Sequence, residues 1–384
     1  MVSSARPVAV IGGGVVGCAV CHALARRGVR ALLLEREPGL GLGASGANSG
    51  VLHTGFDSHP GELETALILR SALLRAELLA ELGVRVSRCG ARMTPRDPAE
   101  ALALRELACN AARNGVEASA QADGSLLIPG ESITDPVAFT IALAGAARKG
   151  GAEIRTRAAV SGLEASDEGV EVTLAGGERV RAAAAVNCAG LFADEVAALA
   201  GEAPVSIYPR KGEFLVFARG PGPALGEILL PVPSAAGKGV LVFPTLDGHV
   251  IAGPTARERE DKTDWSVEPG AQELILDRAL AMWPALAGAE QVGAYAGLRP
   301  AGRGANYVIE RSRALPGLVH VAAIRSTGLT ACLGIGEHVV GLLERDGRVA
   351  PGPLRALRVD GAPPASGPWW ERAAAHWAAG PPAP

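Results

Sequence analysis

The first thirty-five residues constrain the fold more tightly than any other stretch of the chain. Val8-Ala9-Val10-Ile11 is an uninterrupted apolar run of the kind that forms a parallel strand covered on both faces. It leads into Gly12-x-Gly14-x-x-Gly17 and a helical stretch from Val15 to Arg27, with Gly28 where a helix C′ residue belongs. A second strand, Val29 to Leu34, follows at once and ends in Glu35, eighteen residues beyond Gly17. In such a unit the first glycine permits a tight turn, the second lets a pyrophosphate approach the N–H groups at the helix start, and the third lets helix and strand pack closely. An acidic side chain at Glu35 suits the ribose hydroxyls. The unit is therefore expected to bind a dinucleotide, but by itself it does not separate FAD from NAD.

With 384 residues the chain is long enough for two closely packed domains around a large cofactor. A net charge of −3 offers no basic field for a polyanion, so no nucleic acid is expected as partner. No apolar segment reads as a signal peptide or a membrane span. Six scattered cysteines lack the density of a secreted disulfide scaffold, so free thiols and a cytoplasmic location are expected. Cys18 and Cys21 form C-x-x-C on the first helix, but without a second pair they read as small packing residues. His53, Asp57 and His59 imitate a metal triad; no metal is predicted.

The loop from Gly41 through Ser45, Asn48, Ser49 and Gly50 to His53 and Gly55 is too long, polar and glycine-rich to be the βα continuation of a simple nicotinamide domain. It resembles the flavin-contacting loop of the D-amino-acid-oxidase-like FAD superfamily, in the branch of glycerol-3-phosphate dehydrogenases and 2-hydroxyglutarate oxidases. Further landmarks run in family order: Asp135-Pro136, Val186-Asn187-Cys188-Ala189-Gly190, Pro209 to Phe214, Lys238 to Val242, Gly253 to Ala256, Ala296-Gly297-Leu298-Arg299-Pro300, and Ser326 to Thr330. Asp135 reads as an N-cap before an N1 proline rather than as a site residue.

The resemblance implies FAD as cofactor and an α/β fold, α+β overall, with an antiparallel-sheet substrate domain inserted into a Rossmann-like FAD-binding domain. On this reading residues 1–87, 132–205 and 305–350 bind FAD, 88–131 and 206–304 form the substrate domain, and 351–384 are a tail. The FAD contacts implied at the start of the chain are Gly12, Gly14, Val15, Val16, Glu35 and Arg36, followed by Ser45, Asn48, Ser49 and Gly50 in the loop. Later in the chain they are Val160, Cys188, Ala189, Gly190 and Arg299. Thr327, Gly328, Leu329 and Thr330 complete the set, just before a helix expected over Ala331 to Leu343, whose N-terminus suits an anionic or electron-rich group.

Enzymes of this kind move a hydride from a C–H to flavin while a proton leaves the adjacent O–H or N–H. The resemblance implies that Arg299 binds an anionic substrate group. His53 is the leading ionisable group of the loop and suits general-base work. Lys211 and Glu213 read either as reaching the site from a roofing sheet, where a cation at Lys211 suits the anionic reduced flavin, or as a surface pair. Some residues depart from the glycerol-3-phosphate pattern: Ala305-Asn306-Tyr307 lacks an Arg-Asp pair, Gly328 stands where some relatives have lysine, and Arg325 and Thr327 replace more usual residues. Arg303 and Arg325 are candidates to compensate.

The substrate expected is small and anionic, glycerol 3-phosphate-like or a 2-hydroxy acid, oxidised at a CH–OH group. An amine or amino-acid oxidase and a non-catalytic flavin-binding subunit are the alternatives. The electron acceptor is open among oxygen, a quinone and a protein. Trp369, Trp370 and Trp377 fall on a short helix after Pro351 that is expected to dock on the body, with homodimerisation and peripheral membrane contact left open.

Overall fold

The computed structural model describes residues 6–219, 224–233, 239–359 and 367–378, and Lys238 of the family landmarks lies outside them. Among the described residues the strands form four sheets. The first is six-stranded, in the order Val308–Arg311, Leu318–Ala322, Ala184–Asn187, Val8–Ile11, Ala31–Leu34, Glu153–Arg155. Its pairs are parallel except at the Val308–Arg311 edge. Both faces are covered, which is why Val8–Ile11 and Ala31–Leu34 are apolar at every position rather than alternating.

One face carries four helices: α1 (Val15–Arg26), α2 (Leu63–Glu81), α4 (Pro136–Lys149) and α7 (Gly328–Arg345), with α3 (Pro98–Arg113) lying elsewhere between α2 and α4 in the chain. Small residues let them pack closely. Cys18, Cys21 and Cys332 are fully buried among Ala, Val and Leu, and all six cysteines are unpaired. Burial pushes the Cys21 thiol up to about 12, so the C-x-x-C has the character of a packing element. The other face is covered by an antiparallel sheet of Val160–Ser166, Gly169–Leu174 and Arg179–Ala182, together with α5 (Ala193–Leu199).

The largest sheet has nine strands from residues 91–128 and 207–302, mostly antiparallel. Its spine is a long pair, Ile207–Phe217 against Gln291–Gly302, and α6 (Pro269–Met282) packs on its outer face. Two caps form as their sequences dictate: Asp135 accepts from the N–H groups of Val137 and Ala138, and Asp97 accepts from that of Glu100. The last described helix, α8 (Trp369–Ala378), docks on the body, with Trp369 and Trp370 buried. No helix among the described residues is long and apolar enough to cross a membrane.

Candidate active site

A cavity of about 420 Å³ runs between the parallel sheet and the nine-stranded sheet. It is lined by Gly12, Gly14 and Glu35 and also by His53, Arg210, Arg299 and Arg325. The glycine fingerprint is required sterically. Gly12 has φ +110°, and a Cβ there would sit 2.5 Å from the carbonyl oxygen of Cys188; a Cβ on Gly17 would overlap the carbonyl of Gly12. The parallel strands are thereby brought against α1.

Two helix N-termini open into the cavity, α1 at Gly14 to Val16 and α7 at Thr327 to Leu329. Neither helix has a side-chain cap at its N-terminus, so these first-turn N–H donors are left for a ligand in the cavity, apart from that of Val15, which donates to Ser45 Oγ at 2.9 Å. Helix α7 starts at Gly328, three residues earlier than expected, so Gly328 to Thr330 form its first turn rather than a lead-in. Glu35 accepts from the N–H groups of Gly13 (2.5 Å) and Glu37 (2.8 Å), which locks it at the rim. Burial raises its pKa, and these two hydrogen bonds oppose the rise. Arg36 stacks 3.7 Å over the Phe192 ring.

His53 follows the short strand Val51–Leu52. Its Nδ1 lies 2.8 Å from Glu131 Oε2, its backbone N–H donates to Thr330 Oγ1 at 3.1 Å, and its carbonyl accepts from Arg75 at 2.6 Å. The same cavity has a cationic wall. Arg210 and Arg299 are directly paired across two antiparallel strands, and Arg325 adds a third guanidinium. Arg299 donates Nε to Arg210 O and Nη2 to Lys211 O and Thr255 O. Burial first, then the neighbouring Arg210 and Arg325, lowers its pKa to about 10. Among the described residues no acidic side chain pairs with any of the three.

Several expectations are corrected. Lys211 neither faces the cavity nor forms a surface pair with Glu213. Strand pleating turns Arg210 and Gly212 inward and sends the fully buried Lys211 the other way, to Asp264 at 2.8 Å and Ser266 at 3.1 Å. Glu213 is equally buried and accepts from Thr255 Oγ1 at 2.7 Å and the Glu268 N–H at 2.9 Å. Val160 lies on the three-stranded sheet and does not line the cavity; nor do Gly50, which turns the chain at φ +76°, and Thr330, whose hydroxyl is engaged with His53. Arg303 does not compensate at the cavity, because it pairs with Glu260 and stacks over Tyr208. Arg325 does line it. Sequence reading missed Arg210, Glu131 and Arg75; strand parity with Arg299 was the available signal for Arg210, whereas Glu131 lies on a turn with no local motif.

The FAD dependent oxidoreductase (DAO) family matches residues 7–342. The chain belongs to this family. Glycerol 3-phosphate dehydrogenase of Caloramator mitchellensis is 30% identical over 353 residues, covering 88% of this chain and 73% of that protein. L-2-hydroxyglutarate dehydrogenase of Escherichia coli K12 is 29% identical over 280 residues, covering 67% and 66%. Among solved structures, L-α-glycerophosphate oxidase from Mycoplasma pneumoniae, dithionite-reduced with FAD bound, superposes with a TM-score of 0.84 at 26% identity, covering 93% of this chain and 98% of that one. This oxidoreductase is FAD-dependent, and its cavity fits the cofactor: the glycine cradle and two helix N-termini suit the pyrophosphate, and Glu35 the ribose.

Proposed function

We propose that this oxidoreductase removes a hydride and a proton from a CH–OH group of a small anionic substrate, of the glycerol 3-phosphate or 2-hydroxy-acid class, giving the ketone. What carries the reading is one arrangement: Arg210, Arg299 and Arg325 line the same cavity as His53, and among the described residues no acidic side chain forms an ion pair with any of the three. Bound FAD supplies the two-electron acceptor. His53 takes the hydroxyl proton as the carbonyl forms, while the arginines hold the anionic end and fix the reacting carbon. The same reading assigns residues 1–87, 132–205 and 305–350 to FAD and 88–131 and 206–304 to the substrate.

Anaerobic addition of candidate substrates to the purified holoprotein tests this through loss of flavin absorbance. Glycerol 3-phosphate or a 2-hydroxy acid should bleach the flavin. Bleaching by amino acids or amines alone would move the assignment to an amine oxidase, and bleaching by neither class to a flavin-binding subunit.

A further inference from the structure

We infer that Glu131 is a positioning residue that fixes the tautomer of His53, leaving Nε2 as the proton acceptor for the cavity. The inference rests on the reading of His53 as the base. Glu131 is fully buried on the turn between the strands Leu126–Ile128 and Ser132–Thr134. Its two oxygens are differently committed. Oε1 accepts from the Thr54 backbone N–H at 2.7 Å and from Thr54 Oγ1 at 2.9 Å, and Oε2 faces His53 Nδ1 at 2.8 Å.

The backbone N–H of Thr54 can only donate, so it holds Oε1 and dictates which oxygen meets the imidazole. A carboxylate offers only acceptors, so Nδ1 must carry the proton and Nε2 the lone pair. The surroundings keep the carboxylate in place. Arg75 is buried nearby, interacts electrostatically with Glu131 and clamps the His53 carbonyl, which offsets the buried charge. The Glu131 carbonyl accepts from Gly90 at 3.0 Å, and a Cβ at Gly130 would meet Thr54 Cγ2 at 2.8 Å, so the turn has little freedom to move.

The Glu131→Gln variant turns this geometry into a test. Its amide oxygen must stay on the Thr54 N–H, which presents the NH₂ group to Nδ1 and forces the proton to Nε2. In 15N-labelled holoprotein, at a pH where the ring is neutral, long-range 15N–1H correlation should show His53 protonated at Nδ1 in the wild type and at Nε2 in Glu131→Gln. The His53→Asn variant assigns the signal. The rate kcat should fall about 100-fold or more in Glu131→Gln, the scale of a lost general base, with KM and flavin content little changed. Glu131→Asp, which keeps an acceptor, should retain the wild-type tautomer and part of the rate.

A wild-type His53 protonated at Nε2 would overturn the inference even if no variant folded. So would a Glu131→Gln enzyme that kept the wild-type kcat, or Gln and Asp variants equally impaired with matching losses of flavin. A fully active His53→Asn enzyme would instead remove His53 as the base, whatever its tautomer.

Discussion

Two guanidinium groups directly opposed on an antiparallel pair repel one another and weaken the sheet, so Arg210 and Arg299 have a rationale only where an anion comes between them. The two differ in what else they hold. Arg299 satisfies three backbone carbonyls, that of Arg210 among them, whereas the Arg210 side chain has no hydrogen bond among the described residues. Arg210→Ala should therefore raise KM for an anionic substrate about 10- to 100-fold, from the ~1.5–3 kcal/mol of a charge-assisted hydrogen bond, without lowering the thermal midpoint. Arg299→Ala should weaken binding similarly and lower the midpoint as well, because it orphans those carbonyls. Equal midpoints for the two would refute the distinction. Because burial and the neighbouring Arg210 and Arg325 lower the Arg299 pKa to about 10, KM for the anion should climb as pH rises toward and through that value, and less so in Arg299→Ala.

Asp264, the partner of Lys211, provides a separate stability prediction at the same scale. Partial burial alone would raise its pKa, but hydrogen bonds from Lys211 and Ser266 outweigh this and lower it from 3.8 to about 2. A carboxylate depressed in the folded state contributes stability above its unfolded pKa and loses it as pH falls through the folded value. The urea midpoint of the wild type should therefore exceed that of Asp264→Asn at neutral pH, and the gap should close as pH drops from about 4 to about 2. A gap that persisted unchanged through that range would exclude the ion pair as its source.

At the scale of elements, the local devices show how far sequence carried. Gly17→Ala would drive a Cβ into the Gly12 carbonyl and push α1 off its strand. The variant should purify with a markedly lower ratio of flavin to protein absorbance, while Ala at Gly145, where a Cβ meets nothing, should leave that ratio unchanged. The fingerprint, the Asp135 cap and the apolar strand Val8–Ile11 were legible because each is determined within a few residues. Lys211 was misplaced because its charge was weighed without its parity; on Ile207–Phe217 a one-residue offset exchanges the cavity face for the far face. The early start of α7 has a similar origin: Gly328 reads as a breaker, yet it begins a helix whose first turn must come close to Ile324 and Val16. Glu131 was out of reach, since 78 residues separate it from His53 and only the tertiary fold brings them together.

At the scale of the whole molecule, α8 joins parts that the rest of the chain leaves separate. Trp370 packs on Gly293 and Trp369 edge-on against Tyr295, both on the nine-stranded sheet. Trp377 stacks on Trp265 at 4.3 Å and donates Nε1 to Leu42 O at 2.8 Å, in the loop that lines the cavity. Arg372 and His376 lie 3.7 Å from Asp135 and 3.3 Å from Glu37. A ten-residue helix is marginal by itself, so α8 owes its form to this packing and in return fixes the loop around Leu42. Trp377→Ala removes a stacked pair of ~0.5–1.5 kcal/mol and a hydrogen bond of ~1 kcal/mol. These sum to ~1.5–2.5 kcal/mol, an expected rise of roughly 10- to 70-fold in the FAD dissociation constant, measurable by titrating apoprotein with FAD. Removing residues 367–384 should produce at least as large a rise. Wild-type FAD affinity in both variants would mean that the helix only covers apolar surface and does not hold the cavity wall.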